Sequence, residues 1–358
     1  MTRTPSKWRE RELFQTLGSF SRAHLLRIGI QLDLFVALRQ PKTAKQLAQN
    51  SQFAPDLLQA WLRAAASHGL IRMVRERDRA YEIDGLAKWL LETPNSAPLI
   101  ALLEEAIEGH GPIFERMPDL IAGAARPEFH SPAESRRAAG VSRLVERQAL
   151  AALGRIPGVR DARRLLDVGC GYGGYLVGIL RRYRDAHGIG IEQDAEVAEV
   201  ALQNLRAADL LRRSEVRVGD FMSLNLDIGS HDLILLNNNL HYFAPRIRRA
   251  LFERIFSRLI PGGLLAIQTA VISDRAPARW MGLSASAAAF DLYLRAHDNL
   301  YGLPDLRELH SSLLEVGFES IAEVAFLPGG SARYVWARKP RTPVAASLAE
   351  ERDATKGS

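Results

Sequence analysis

The run Leu165-Leu166-Asp167-Val168-Gly169-Cys170-Gly171-Tyr172-Gly173-Gly174 constrains this chain more than any other stretch. Apolar residues broken by one acid lead into four glycines, and an apolar helical pattern from Tyr175 to Leu180 follows. The pattern predicts a buried strand that breaks into a tight turn at the head of a helix. Gly169, Gly171 and Gly173 withhold side chains where a ligand must lie against backbone. Helix-terminal N–H groups then face that ligand with the positive end of the helix dipole. An ordinary glycine-rich strand–helix turn has the same outline, so the positions beyond it decide.

Those positions repeat one theme. A second apolar strand, Gly188 to Ile191, ends in Glu192, close to the ~20-residue offset at which an acid meets a ribose in nucleotide-binding βαβ units. A third, Val216 to Gly219, ends in Asp220-Phe221, an acceptor beside a flat ring suited to an adenine. A fourth, Asp232 to Leu236, ends in Asn237-Asn238-Asn239-Leu240-His241, and after a helical segment from Arg246 to Leu259 the turn Pro261-Gly262-Gly263 opens a fifth, Leu264 to Thr269. Polar clusters thus stand where strands end, and ligands of open α/β sheets bind outside those carboxyl ends.

On these residues the stretch from 163 to 339 resembles the class I S-adenosylmethionine-dependent methyltransferases. The motif is Asp-x-Gly-x-Gly-x-Gly from Asp167 to Gly173, not the Gly-x-Gly-x-x-Gly of dinucleotide dehydrogenases. The resemblance implies a Rossmann-like α/β domain with a seven-stranded, mostly parallel sheet and S-adenosylmethionine as cofactor. It implies that Asp167, Gly169, Gly171, Gly173 and Asn237 belong to the cofactor site, with the glycine loop on the methionine moiety. Glu192 would take the ribose hydroxyls, and Asp220 and Phe221 would lie by the adenine. No metal is implied.

The first hundred residues differ in character. Apolar residues recur at helical spacing from Phe14 to Leu38, and Pro41 ends the pattern. Thr43 with Gln46 forms a capping box for a short helix from Ala44 to Gln49. Pro55 suits the first turn of a helix from Asp56 to Ser67 that Gly69 should terminate. Leu70 to Val74 and Arg79 to Ile83 can pair as a hairpin, which completes the order of a winged helix. The element in the recognition position, Leu57 to Ala66, is apolar nearly all round and carries one basic residue, Arg63, so it reads as a helix buried on both sides and a poor reader of DNA. The segment resembles the N-terminal dimerisation domain of small-molecule O-methyltransferases, which implies a homodimer whose N-terminal domains interlock.

The resulting division is a winged-helix dimerisation domain over 1–95, a helical connector over 96–160, a methyltransferase domain over 161–340 and an unstructured tail over 341–358. In the connector, Ser142 and Arg143 stand where they could reach the methionine end of the cofactor. The lone cysteine, Cys170, excludes an internal disulfide and reads as a small buried filler. No signal peptide and no run of ~18 apolar residues is visible, so a cytoplasmic protein without membrane attachment is expected. A net charge of +6 could point to nucleic acid, but the arginines are scattered among acids as on solvated helix faces.

Methyl transfer is an in-line displacement at carbon, so the protein must hold the acceptor ~3–3.5 Å from the methyl. A hydroxyl acceptor must also lose a proton, for which a neutral histidine serves. His241 falls after the fourth strand, where the family carries its base in a Leu-His-Asp-Trp pattern; here the run is Leu240-His241-Tyr242-Phe243. The acids that orient the family's histidine are missing, leaving Gln268 as a substitute partner. Asn238, Asn239 and Tyr242 are candidate acceptor contacts. So are Phe290, Tyr293 and His297, which share one helical face, with Trp280 and Met281 in a preceding loop as a lid. The expected activity is methylation of a hydroxyl on a small aromatic secondary metabolite. Methylation of nitrogen or carbon, a non-methylating use of the cofactor, and a winged-helix regulator sensing S-adenosylmethionine are the alternatives.

Overall fold

The structure is a computed structural model that describes residues 5–49, 51–129, 132–223, 228–273, 275 and 282–341. Trp280, Met281 and the chain beyond 341 lie outside the described residues. The chain divides into two compact units, Met1–Gly109 and His110–Ser358. The sequence placed this boundary at 95 and set a separate connector after it. Instead Leu103, on the helix Ala97–Glu104, packs against the core of the first unit, while Ala149, Ala152 and Leu153 of the connector join the core of the second.

In the first unit, α1 (Pro5–Gln31) and α2 (Leu34–Ala37) replace the single helix expected from Phe14 to Leu38. The break falls at Asp33, whose backbone is left-handed at φ 53°, a conformation that aspartate tolerates and a helix interior does not. Helix α3 (Ala44–Ala48) carries the anticipated capping box: Gln46 N–H donates to Thr43 Oγ1 at 3.2 Å, and Thr43 N–H to Gln46 Oε1 at 2.8 Å. Helix α4 (Pro55–Ser67) leads into the antiparallel pair β1 (Ile71–Arg75) and β2 (Ala80–Ile83), in register Ile71↔Ile83 and Met73↔Tyr81. Within the single chain α4 is not buried on both sides. Leu58, Trp61, Leu62 and Ala65 form one stripe at i, i+3, i+4, i+7 on the core, whereas Leu57 is 69% exposed.

The second unit is built on a seven-stranded sheet, β3 (Arg164–Val168), β4 (His187–Glu192), β5 (Ser214–Val218), β6 (His231–Asn237), β7 (Leu259–Ala270), β8 (Glu319–Ala325) and β9 (Ala332–Arg338), in spatial order β5-β4-β3-β6-β7-β9-β8. The first five pair in parallel and β9 runs antiparallel between β7 and β8. Strand alternation sends Leu165, Leu233 and Leu264 into one apolar layer and Leu166, Ile234 and Leu265 into another, so helices cover both faces. After α5 (Gly85–Glu92), α6 (Ala97–Glu104), α7 (Gly111–Ile121), α8 (Pro132–Ser142) and α9 (Glu146–Leu153), helices α10 (Gly174–Arg182) and α11 (Ala195–Ala207) join the first layer, and α12 (Pro245–Arg258) joins the second. Strand β7 starts five residues before the expected Leu264 because Leu259 already pairs with His231, and the register then shifts across the Pro261-Gly262-Gly263 turn. The order reverses between β3 and β6, which makes their carboxyl ends the topological switch point. Among the described residues no helix is long and apolar enough to cross a membrane.

Candidate active site

A cavity of about 520 Å³ opens at that switch point. Its floor is the glycine loop, where Gly169 and Gly171 take φ of +68° and +54°. The two serve different ends. A Cβ on Gly169 would collide with the Asn239 amide, which donates to the carbonyls of Val168 (2.6 Å) and Gly169 (2.8 Å). A Cβ on Gly171 would meet nothing nearer than Ala139 at 3.8 Å, so this position leaves backbone bare toward the cavity. Gly173 does not line the cavity: it starts α10, and its Cβ would press on Ala201 of α11.

Glu192 lines the cavity at the end of β4. Its Oε2 accepts from Gly171 N–H at 2.9 Å and its Oε1 from Asp194 N–H at 3.1 Å, which fixes the carboxylate while leaving lone pairs for a ligand. Burial raises its pKa above the ordinary carboxylate value, against the lowering effect of those N–H groups. Asp220 also lines the cavity, its Oδ1 accepting from Met222 N–H at 2.9 Å. Phe221 borders the cavity but is sunk in the core, with the Arg254 guanidinium 5.3 Å from its ring centroid. That ring is half committed to packing, unlike the open platform the sequence suggested.

Asp167 is not in the cavity wall. It shares the strand face of Leu165 and is fully buried, where Asn237 Nδ2 donates to its Oδ1 at 3.1 Å and its Oδ2 has no partner. Burial pushes its carboxyl well above the usual range. A polar network continues beneath the sheet ends: Tyr334 Oη donates to Asn237 Oδ1 at 3.0 Å, and Tyr175 Oη to Gln268 Oε1 at 2.5 Å. Gln268 is therefore engaged by tyrosines, not by His241. Asn237 reaches both this network and the cavity, and Asn238, with φ +53°, also lines it.

His241 lies in a short turn, Leu240–Tyr242, with 6% of its surface exposed and outside the cavity lining. The turn lays its ring 4.5 Å from Tyr242 and 5.6 Å from Phe290. Burial, helped by the Arg248 charge, lowers its pKa to about 3, so the imidazole is neutral. Tyr293 and His297 are buried behind the cavity, as is the contact face of Phe290. His110 stacks on Tyr293 at 4.1 Å, Tyr293 meets His297 at 4.7 Å, and Phe129 meets both His297 (5.8 Å) and Tyr242 (6.0 Å). Of this aromatic group only Phe129 and Tyr242 face the cavity, joined there by Phe243. The shared helical face of Phe290, Tyr293 and His297 is thus a supporting layer.

Several wall residues were not foreseen. Helix α8 (Pro132–Ser142) contributes Ser135, Ala138 and Ala139 beside the anticipated Ser142, whereas Arg143 stays out of the wall. Asp194, which also caps α11 by accepting from Glu196 and Val197 N–H, was legible as a helix cap. Phe129 and Asn299 lack any local signal. Glu146, from the helix Glu146–Leu153, lies so close over the start of α10 that a Cβ on Gly174 would collide with its carboxylate.

Two family models match the chain: a methyltransferase domain over residues 165–263 and an O-methyltransferase dimerisation domain over residues 14–93. Demethylspheroidene O-methyltransferase of Cereibacter sphaeroides is 27% identical over 75% of this chain and 72% of its own length. A carboxy-S-adenosyl-L-methionine synthase of a Shewanella species is 29% identical over 33% of this chain and 49% of its own. Among solved structures, mitomycin 7-O-methyltransferase has a TM-score of 0.77 at 21% identity, covering 93% of this chain and 98% of that one. Human N-acetylserotonin methyltransferase has 0.74 at 17%, covering 95% and 99%; both share the fold. The chain belongs to the class I S-adenosylmethionine-dependent methyltransferases, in the O-methyltransferase branch that carries an N-terminal dimerisation domain.

S-adenosylmethionine is the cofactor of that class, and the residues here fit it. The bare backbone at Gly171 and the fixed carboxylate of Glu192 supply close approach and acceptors on one floor. The cavity volume lies in the range of small-molecule sites.

Proposed function

We propose that this enzyme methylates a hydroxyl of a small, flat aromatic molecule held against Tyr242, Phe129 and Phe243. The observation that carries the reading is the composition of one cavity: carboxylates at Glu192, Asp194 and Asp220, and an aromatic wall that bears no charge. Demethylspheroidene and mitomycin O-methyltransferases, by their names, modify small molecules, which supports an acceptor of this kind. Glu192 would take the ribose hydroxyls, Asp220 would lie by the adenine, and the Gly169–Gly171 backbone would carry the methionine moiety. The bound cofactor supplies a sulfonium methyl, and the protein's part is mainly alignment.

In this reading the proton goes to His241. Its low basicity suits a late transfer: a hydroxyl that attacks as the neutral group becomes a protonated ether, a far stronger acid than imidazolium. His241→Gln should lower turnover ~10²–10⁴-fold with cofactor affinity nearly intact. A loss under about tenfold, with calorimetric affinity for S-adenosylhomocysteine preserved, rejects the role and leaves positioning by Asn238, Asn239 and Tyr242. The first unit would pair two copies of the chain, as its dimerisation-domain match supports, with the enzyme working in the cytoplasm.

A further inference from the structure

We infer that Asn299 is a positioning residue for the acceptor: its side-chain amide clamps the backbone of Phe129 so that the Phe129 ring stands in the cavity wall between Tyr242 and His297. The clamp is a pair of bonds to one residue. Phe129 N–H donates to Asn299 Oδ1 at 2.7 Å, and Asn299 Nδ2 donates to the Phe129 carbonyl at 2.9 Å. A third bond, Asp298 N–H to the Pro127 carbonyl at 2.9 Å, continues the same seam. Residues 124–129 belong to no helix or strand, so this seam does the work a β-ladder would do elsewhere.

The geometry is demanding. A planar group must offer one donor and one acceptor side by side, as a backbone amide does. Asparagine meets that need, alanine offers neither group, and ionised aspartate offers two acceptors to a site that holds one carbonyl. The ring that the clamp places is in turn braced edge to face by His297 at 5.8 Å, and His297 is fixed by the 2.9 Å contact of its Nδ1 with the Tyr293 carbonyl. Both Asn299 and Phe129 line the cavity, where the Phe129 ring meets Tyr242 of the proposed acceptor wall, whereas the cofactor would be held by Glu192 and Asp220. Losing the clamp should therefore loosen the acceptor and spare the cofactor.

This rests on the reading that the aromatic wall takes a hydroxyarene, and the test separates the two. The full chain is saturated with S-adenosylhomocysteine and titrated with 2-naphthol, a flat hydroxylated probe, by calorimetry. Absence of binding to the wild type overturns the hydroxyarene reading and the clamp with it. Given binding, Asn299→Ala should weaken 2-naphthol at least tenfold while S-adenosylhomocysteine affinity stays within twofold. Asn299→Asp, whose carboxylate is ionised at pH 8 and offers no donor to the Phe129 carbonyl, should match the alanine variant there. Unchanged 2-naphthol affinity in the alanine variant, an equal loss of both ligands, or wild-type affinity in the aspartate variant at pH 8 overturns the clamp.

Discussion

At the scale of single residues, Glu192 has the most consequential setting in the cavity. Two backbone N–H groups hold its carboxylate, so the oxygens that remain can accept from two vicinal hydroxyls without reorganising. Glu192→Ala should weaken S-adenosylhomocysteine binding by about 1.5–3 kcal/mol, the range for hydrogen bonds to charged groups. Calorimetry showing unchanged affinity would remove the ribose assignment. Residues of this kind were legible because each stands directly after a strand: Glu192, Asp220 and Asn238 follow from the strand ends alone. Asp167, which the resemblance placed in the cofactor site, lies outside the cavity lining, and strand alternation already put it on the face of Leu165, under α10. The pairing of Phe129 with Asn299 stayed hidden because 170 residues separate the two partners and it depends on tertiary closure.

At the scale of elements, the strand and helix centres followed from periodicity, and the deviations lie at ends where a single backbone angle decides. Asp33 split a helix that apolar spacing ran together, and a strand pairing drew β7 back to Leu259. Helix α1 also extends to Pro5, well before the apolar pattern that announced it. Along the first half of α1, Trp8, Leu13, Phe14, Leu17 and Phe20 are exposed, Phe14 by 72% and Phe20 by 66%. Spacing predicted the helix but could not show which of its faces the chain itself would cover. Large exposed apolar rows mark association surfaces, and the dimerisation domain spans this one. Phe14→Glu with Phe20→Glu should convert the dimer to monomer in sedimentation at micromolar concentration, with helical circular dichroism retained. A wild-type monomer would remove the dimer altogether, and a doubly substituted protein that stays dimeric would place the association elsewhere.

At the scale of the whole molecule, the second unit holds two sets of buried ionisable groups whose effects on stability oppose each other. His231 and His241 are 2% and 6% exposed, and burial lowers their pKa values to about 4 and about 3. Neutral histidines of this kind contribute stability above their unfolded pKa of about 6.5, and it is lost as pH falls toward the folded values. Asp167, with Glu146 and Glu192, works in the reverse sense, since burial raises each carboxyl. A carboxyl kept protonated in the native state contributes fully below its unfolded pKa, and that contribution is lost as pH rises through the raised folded value. Because both sets make stability depend on pH, the stability curve of the wild type alone cannot separate them; a difference between two proteins can. Asp167→Asn keeps the acceptor that Asn237 uses and removes the titration. Relative to wild type, the variant should therefore gain stability steadily from about pH 4 upward, by at most about 1.4 kcal/mol per pH unit, until the native carboxyl ionises. The histidine contributions cancel in that difference. Guanidinium unfolding of both proteins between pH 4 and 8 measures it, and a difference that stays flat with pH means that the buried aspartate is ionised in the native state and held by the amide of Asn237.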